Sequence, residues 1–188
     1  MLSRTPATIA IVLHHLRTLL GATLLLAISM LQPASAKEAI DGPHVRTGEL
    51  PMRGAIANGV EQSMLFRRLV TRLEASNVIV YVASDCSMTS LVGRLTFMSS
   101  AGERRYVMVR IACGLSPWQE IAAIGHELRH AVEIAEDPSV VDQASLAALY
   151  KRSGFASSLF KAGTGYDSQV AIEAGRRVWD ELSRAAAE

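Results

Sequence analysis

The sequence predicts an α+β domain in which a small antiparallel, possibly mixed, sheet packs on a buried helix, with further helices after it. Three observations predict this class. Strand-like segments cluster between residues 77 and 112, a helix with apolar residues nearly all round it begins at Pro117, and helical periodicity returns after Pro138. Apolar residues two apart favour strands, whereas apolar residues three or four apart favour helices.

The first 36 residues differ from the rest of the chain. Arg4 and Arg17 are their only charges, an apolar run covers residues 19–31, and Ala34-Ser35-Ala36 precedes Lys37. This order is typical of a secretory signal peptide, so we expect residues 1–36 to be removed and the protein to be periplasmic or secreted. The alternative is a retained N-terminal membrane anchor. The apolar run is shorter than the ~20 residues of a spanning helix, so we expect no stable membrane insertion after cleavage.

Residues 37–58 are rich in Gly, Pro and charge and are predicted to be an extended lead-in, with His44 on the surface. Residues 59–188 are predicted to form one domain, beginning with a helix from Val60 to Ala75. Without Arg4 and Arg17, 17 basic residues stand against 18 acidic ones. This balance does not favour a nucleic-acid partner.

Three strands are predicted after this helix, because apolar or β-branched residues dominate or alternate there: Asn77–Ala83, Leu91–Phe97 and Arg105–Ala112. Residues 99–102 are predicted to be a hairpin turn between the last two strands. Cys86 and Cys113 are the only cysteines. If the strands beside them are antiparallel neighbours, both cysteines lie at one end of the sheet, which favours a disulfide in an exported protein.

The helix from Pro117 has clear boundaries. Ser116 is a good N-cap, Gln119 completes a capping box, and Asp137-Pro138 ends the helix. Two more helices are predicted: residues 139–152, capped by Ser139 and Asp142 and stopped by Gly154, and residues 167–186.

The Pro117 helix carries the sequence His126-Glu127-Leu128-Arg129-His130. Residues four apart share one helix face, so both imidazoles reach one metal ion, and the pattern favours zinc. Glu127 lies ~100° round the helix from His126, where it can act as a general base without being a ligand. The alternative is a histidine pair in the core that is satisfied without metal.

A zinc site needs at least a third protein ligand. The positions at which a related motif has glycine and a third histidine hold Glu133 and Glu136, and Glu133 lies ~10 Å along the helix axis from His126. On the last helix Asp167 falls on the apolar face, whereas Glu173 falls on the solvent face. We therefore expect Asp167 to be the third ligand. The alternative is that Asp167 is an ordinary N-cap.

His126-Glu127-x-x-His130, the preceding sheet and an acidic ligand on a later helix together resemble the zincin metallopeptidases. The chain looks most like the branch with a carboxylate third ligand, and like small secreted bacterial HExxH proteins of unassigned substrate. This resemblance implies a zinc peptidase that cleaves a peptide or protein substrate. In it, the metal activates a water molecule and Glu127 is the general base.

The resemblance also implies a group that stabilises the oxyanion. Tyr166, Tyr150 and Arg129 are candidates by residue type, and Tyr166 is preferred because it adjoins Asp167. A second hypothesis from a different class is a zinc-stabilised binding or interaction domain without hydrolytic turnover. The sequence indicates neither the oligomeric state nor the substrate.

Overall fold

A mixed four-stranded sheet forms one layer of the domain, so the expected α+β class with a mixed sheet is found. The computed structural model describes residues 42–156 and 166–187. The strands are β1 (Val45–Arg46), β2 (Val78–Asp85), β3 (Gly93–Ala101) and β4 (Arg104–Ala112), in the order β1-β2-β4-β3. β1 and β2 are parallel, as are β2 and β4, whereas β3 and β4 are antiparallel. The purely antiparallel arrangement was therefore wrong.

Five helices and a second, two-stranded sheet complete the part of the chain that the structure describes. The helices are α1 (Leu50–Gln62), α2 (Met64–Glu74), α3 (Pro117–Glu136), α4 (Gln143–Ser153) and α5 (Gln169–Ala185). The small sheet pairs β5 (Phe155–Ala156) with β6 (Tyr166–Asp167) in antiparallel orientation. Within the described ranges, no helix is both long and apolar enough to cross a membrane.

The expected extended lead-in was wrong for its described part. α1 begins at Leu50, because Met52 and Ala55 bury one face of a helix whose glycines hide its periodicity in the sequence. Pro51 is tolerated because backbone N–H groups in the first helical turn form no hydrogen bond within the helix, so none is lost.

His44 was expected on the surface but is buried, and its Nδ1 lies 2.8 Å from the Leu73 carbonyl oxygen. The predicted signal peptide lies outside the described residues.

The single helix expected from Val60 to Ala75 is two helices that meet at Ser63. The Ser63 hydroxyl accepts a hydrogen bond from the Phe66 N–H and donates one to Glu181 Oε2, 2.7 Å away. Glu181, on α5, also accepts the Leu65 N–H. A carboxylate from another helix therefore stabilises the N-terminus of α2, where the helix dipole favours negative charge.

The helix α3 occupies the centre of the domain. Its capping box of Ser116 and Gln119 and its end at Glu136 are as predicted. It contacts α1, α2 and α5 as well as β2, β3 and β4. Gly125 lets α5 approach closely, because a Cβ there would lie 2.9 Å from Val178 Cγ2. Almost every face of α3 is therefore covered by protein.

The later boundaries differ from those expected. α4 begins at Gln143, because Asp142 and Ser145 form its capping box, while Ser139 instead donates to Asp137. β3 runs through the expected turn to Ala101, with a bulge between Phe97 and Ser99.

The structure joins Cys86 to Cys113 by a disulfide bond, with their Cα atoms 4.8 Å apart. The pairing geometry differs from the one expected. Cys86 follows β2 and Cys113 follows β4, and these neighbours are parallel. The C-terminal ends of neighbouring parallel strands lie at the same edge of a sheet, which brings the two sulfur atoms together.

The Glu181 contact predicts a pH-dependent contribution to stability. Burial raises the pKa of Glu181, but the hydrogen bonds from Ser63 and Leu65 outweigh it and hold the pKa below its ordinary value of 4.5. The contribution is therefore present above that value and lost as the pH falls through the folded-state pKa. At neutral pH, Glu181→Gln should lower the free energy of unfolding by about 1 kcal/mol in urea titrations.

In the same titrations, the difference in free energy of unfolding between wild type and Glu181→Gln should close once the pH falls below the folded-state pKa of Glu181, where both side chains are neutral. The exposed neighbour Asp180 provides the control, and Asp180→Asn should produce a much smaller change at neutral pH. If the free energies of unfolding of wild type and Glu181→Gln differed equally at neutral pH and below the folded-state pKa, this account would be contradicted.

Candidate metal centre

Helix α3 presents His126, Glu127 and His130 to a cleft at its surface. Glu127 and His130 are buried, with 5% of each residue exposed, whereas His126 is partly exposed. The helix repeat places the two imidazoles on one face, with their ring centroids 4.9 Å apart. The other buried residues of α3 are apolar, so these two buried ionisable groups require specific partners.

Asp167 approaches the same face from β6. Its Oδ1 lies 3.3 Å from Nε2 of His126 and 3.3 Å from Nε2 of His130. One donor atom from each of the three residues lies within 4.8 Å of the other two. The structure therefore brings together the two histidines and the aspartate that the sequence selects.

These spacings fit a small metal ion. Two ligands of a tetrahedral zinc ion with bonds of about 2.0–2.1 Å are separated by about 3.3 Å. A direct charge-assisted N–H···O hydrogen bond is shorter, typically about 2.7–2.9 Å. The observed 3.3 Å separations of Asp167 from both rings match the ligand spacing better. Two imidazoles and one carboxylate also form a donor set that zinc accepts.

Asp167 is not the N-cap of α5. That position is held by Ser168, whose hydroxyl accepts the Ala171 N–H. The expected helix start at Asp167 was therefore wrong, because Ser168 provides the cap and the two preceding residues are extended in β6. The Asp167 carboxylate is left directed at the two imidazoles.

Nδ1 of His130, on the side of the ring away from Asp167, contacts two residues that the sequence analysis did not identify as partners of this histidine. Nδ1 of His130 lies 2.9 Å from Glu133 Oε2 and 2.9 Å from the Tyr150 hydroxyl. The other Glu133 oxygen accepts a hydrogen bond from Ser168 Oγ at 2.6 Å. An imidazole whose Nδ1–H is given to a carboxylate has Nε2 free for a metal, and its ring orientation is fixed.

Burial and neighbouring charges in this cluster shift the pKa values of several side chains. Burial lowers the pKa of His130, but the bonds to Asp167 and Glu133 outweigh it and raise the pKa to about 9. Burial raises the pKa of Asp167, and the two histidines reverse this and hold it well below its ordinary range. Burial also raises the pKa of Glu127, and the nearby histidines offset only part of that effect.

The edge strand β3 confines Glu127. A Cβ on Gly93 would lie 2.7 Å from Glu127 Oε1 and 3.0 Å from its Cγ, so only glycine leaves room for this carboxylate. The Leu95 backbone N–H also donates to Glu127, which favours the ionised form. The strand and the helix α3 therefore hold the carboxylate between them, next to the histidines.

A cleft of about 940 Å³ opens over this centre. Glu127, Asp167 and both histidines line it, together with residues of β3 on one side and of α4 and α5 on the other. Its size suits a small ligand or a short stretch of peptide.

The other sequence candidates occupy different positions. Tyr166 lines the cleft, whereas the Tyr150 hydroxyl is engaged behind His130. Arg129 is not among the described residues that line the cleft and instead contacts Glu136 at 3.4 Å. Glu173 accepts a hydrogen bond from Gln169 and lies exposed on α5.

Comparison of the chain with protein-family models, curated proteins and solved structures finds no match.

Asp167 should be essential for tight zinc binding. Asp167→Asn keeps the side-chain shape but weakens a ligand, so zinc affinity should fall by more than the ~10–100-fold typical of second-shell changes. Competition with a fluorescent chelator measures this. Glu173→Gln, on the exposed face of α5, should bind zinc like wild type. Equal affinity in Asp167→Asn and wild type would exclude Asp167 as a ligand.

Glu133 should tune the metal centre without being a ligand. Glu133→Gln removes the charge that orients His130, so zinc affinity should fall ~10–100-fold while the stoichiometry at saturating zinc stays unchanged. Titration with metal buffers separates these two quantities. Glu136, three residues further along α3, is the matched control because its carboxylate contacts Arg72 and Arg129 away from the cleft. Loss of stoichiometry in Glu133→Gln would mean that Glu133 itself binds the metal.

Proposed function

We propose that this protein is an exported, zinc-dependent peptidase with zincin-like packing, in which Glu127 is the general base. The observation that carries the proposal is the position of the Glu127 carboxylate. It is buried beside the His126, His130 and Asp167 donor set and faces a cleft bordered by an edge strand. A carboxylate that binds no histidine nitrogen directly, yet lies beside three metal donors, is placed to handle protons.

The number of donors supports catalysis over a purely structural metal. Structural zinc sites usually have four protein ligands, whereas catalytic sites have three and keep one position for water or substrate. Among the described residues, the cluster contains three donor side chains. This observation favours the peptidase over the alternative of a zinc-stabilised binding domain.

The proposed chemistry assigns a role to each side chain. A bound divalent ion such as zinc would polarise the substrate carbonyl and make water a better nucleophile. His126, His130 and Asp167 would hold the ion, and Glu133 would orient His130. Glu127 accepts the proton from the attacking water and then gives it to the leaving amine. Tyr166, on the cleft wall, is the candidate donor to the oxyanion.

The substrate is proposed to be a peptide or an extended segment of a protein. An exposed sheet edge binds extended chains through backbone hydrogen bonds, and β3 provides such an edge along the cleft. Gly93, opposite Glu127, allows a substrate backbone to come close to the base. The predicted signal peptide would place this activity in the periplasm or outside the cell.

Hydrolysis of a mixed peptide library by the zinc-loaded protein, with products identified by mass spectrometry, tests the proposal. Glu127→Gln should retain zinc but lose at least ~100-fold in turnover, as expected for loss of a general base. Glu120→Gln, on the same helix near its N-terminus, should cleave like wild type.

Zinc bound by both wild type and Glu127→Gln, with no cleavage by either, would favour the binding-domain alternative. A wild-type protein that binds no zinc would exclude both functions.

A further inference from the structure

The outer edge of β3 is the side that faces away from β4. Backbone groups on this edge are available for pairing at one end of the cleft, which we call the open end, and are covered by another segment at the other, the closed end. The Phe97 N–H donates to the side-chain oxygen of Gln143 on α4, at 2.9 Å, so it points away from β4. The Val92 carbonyl, in contrast, accepts the Ala112 N–H and points towards β4. Because backbone groups alternate in direction along an antiparallel strand, Gly93, Leu95 and Phe97 all direct their N–H and C=O groups to the outer edge.

At the closed end, the segment 141–143 takes the place that a pairing strand would occupy. The Gln143 side chain accepts the hydrogen bond of the Phe97 N–H. Three residues further along β3, Ser100 Oγ donates to the Val141 carbonyl at 2.8 Å. The β-bulge directly after Phe97 also interrupts the regular edge. A bulge turns an edge strand away from further pairing.

At the open end, the edge next to the candidate metal centre remains available, except for the Leu95 N–H, which donates to Glu127. Gly93 and Leu95 line the cleft, and Gly93 lies against Glu127. The chain runs outward from Gly93 through Val92, which precedes β3 and whose side chain is exposed. Backbone pairing is therefore possible at Gly93 and in the direction of Val92. Towards Phe97 only the Leu95 carbonyl is left for pairing, and Gln143 ends the open edge.

We propose that Gln143 limits this site to substrates whose scissile bond lies close to one chain end. The inference rests on the proposed peptidase function. Phe97 lies four positions after Gly93, about 13 Å along the strand, so an extended peptide paired at Gly93 has room for about four residues before it meets Gln143. On the other side of the scissile bond the peptide is free to continue. The substrate class is thus short peptides or the ends of longer chains.

Two series of quenched fluorescent peptides test this, both built on one peptide that wild type cleaves. One series is lengthened only at the N-terminus and the other only at the C-terminus. In one series kcat/KM should fall at least ~10-fold once that side exceeds about four residues, which corresponds to the loss of one to two hydrogen bonds. The other series should be cleaved at a constant rate. Which series is affected gives the direction in which the substrate pairs with β3.

Variants at position 143 connect the effect to this residue. Gln143→Ala removes the acceptor for the Phe97 N–H and should restore cleavage of the long peptides. Gln143→Glu keeps a side-chain acceptor of the same length and should retain the wild-type limit. Equal rates for all lengths in wild type would overturn this inference while leaving the peptidase function intact. Failure to cleave any peptide would overturn the proposed function, and this inference with it.

Discussion

The burial of α3 is the constraint on which the rest of the structure depends. Protein surrounds this helix on nearly every side, yet Glu127 and His130 lie near its middle. Unpaired polar groups there would cost several kcal/mol, so each must have a partner from a neighbouring element. Asp167, Glu133 and Tyr150 provide partners for His130. No buried side-chain nitrogen or oxygen in the described residues lacks a hydrogen bond.

The need for buried partners couples the candidate metal centre to the helix packing. Glu133 binds His130 with one oxygen and Ser168 with the other, and Ser168 is the N-cap of α5. The orientation of the imidazole and the start of α5 are therefore fixed by one carboxylate. Asp167 directly precedes Ser168 in the chain. The hydrogen bonds of Glu133, which orient His130, therefore also help to place the Asp167 carboxylate opposite that ring. The close approach of α5 at Gly125 keeps this arrangement compact.

Local signals in the sequence predicted local structure well. The capping box and Asp137-Pro138 define α3 because caps act within a few residues. The parallel pairing of β2 with β4 was not predictable in this way, because β3 lies between them in sequence and only long-range packing decides the order. Asp167 was selected for its place on a helix face, but it lies in β6 and reaches the cluster by a different route. The spacing of Glu133, three residues after His130, was a usable signal for its role as a hydrogen-bond partner.

The strand β3 is both the outer strand of the sheet and one wall of the cleft over the candidate metal centre. As the outer strand of the sheet it has unpaired backbone groups, and a long open edge of this kind promotes aggregation. In this protein the outer edge is open at Gly93, Glu127 accepts the N–H of Leu95, and segment 141–143 covers the part from Phe97 onward. Gln143, which covers part of the edge, therefore also lines the cleft. α4 joins both functions, because Gln143 closes the edge and Tyr150, two turns further along the same helix, supports His130. A change in the position of α4 would alter the length of the open edge and the orientation of the His130 imidazole together.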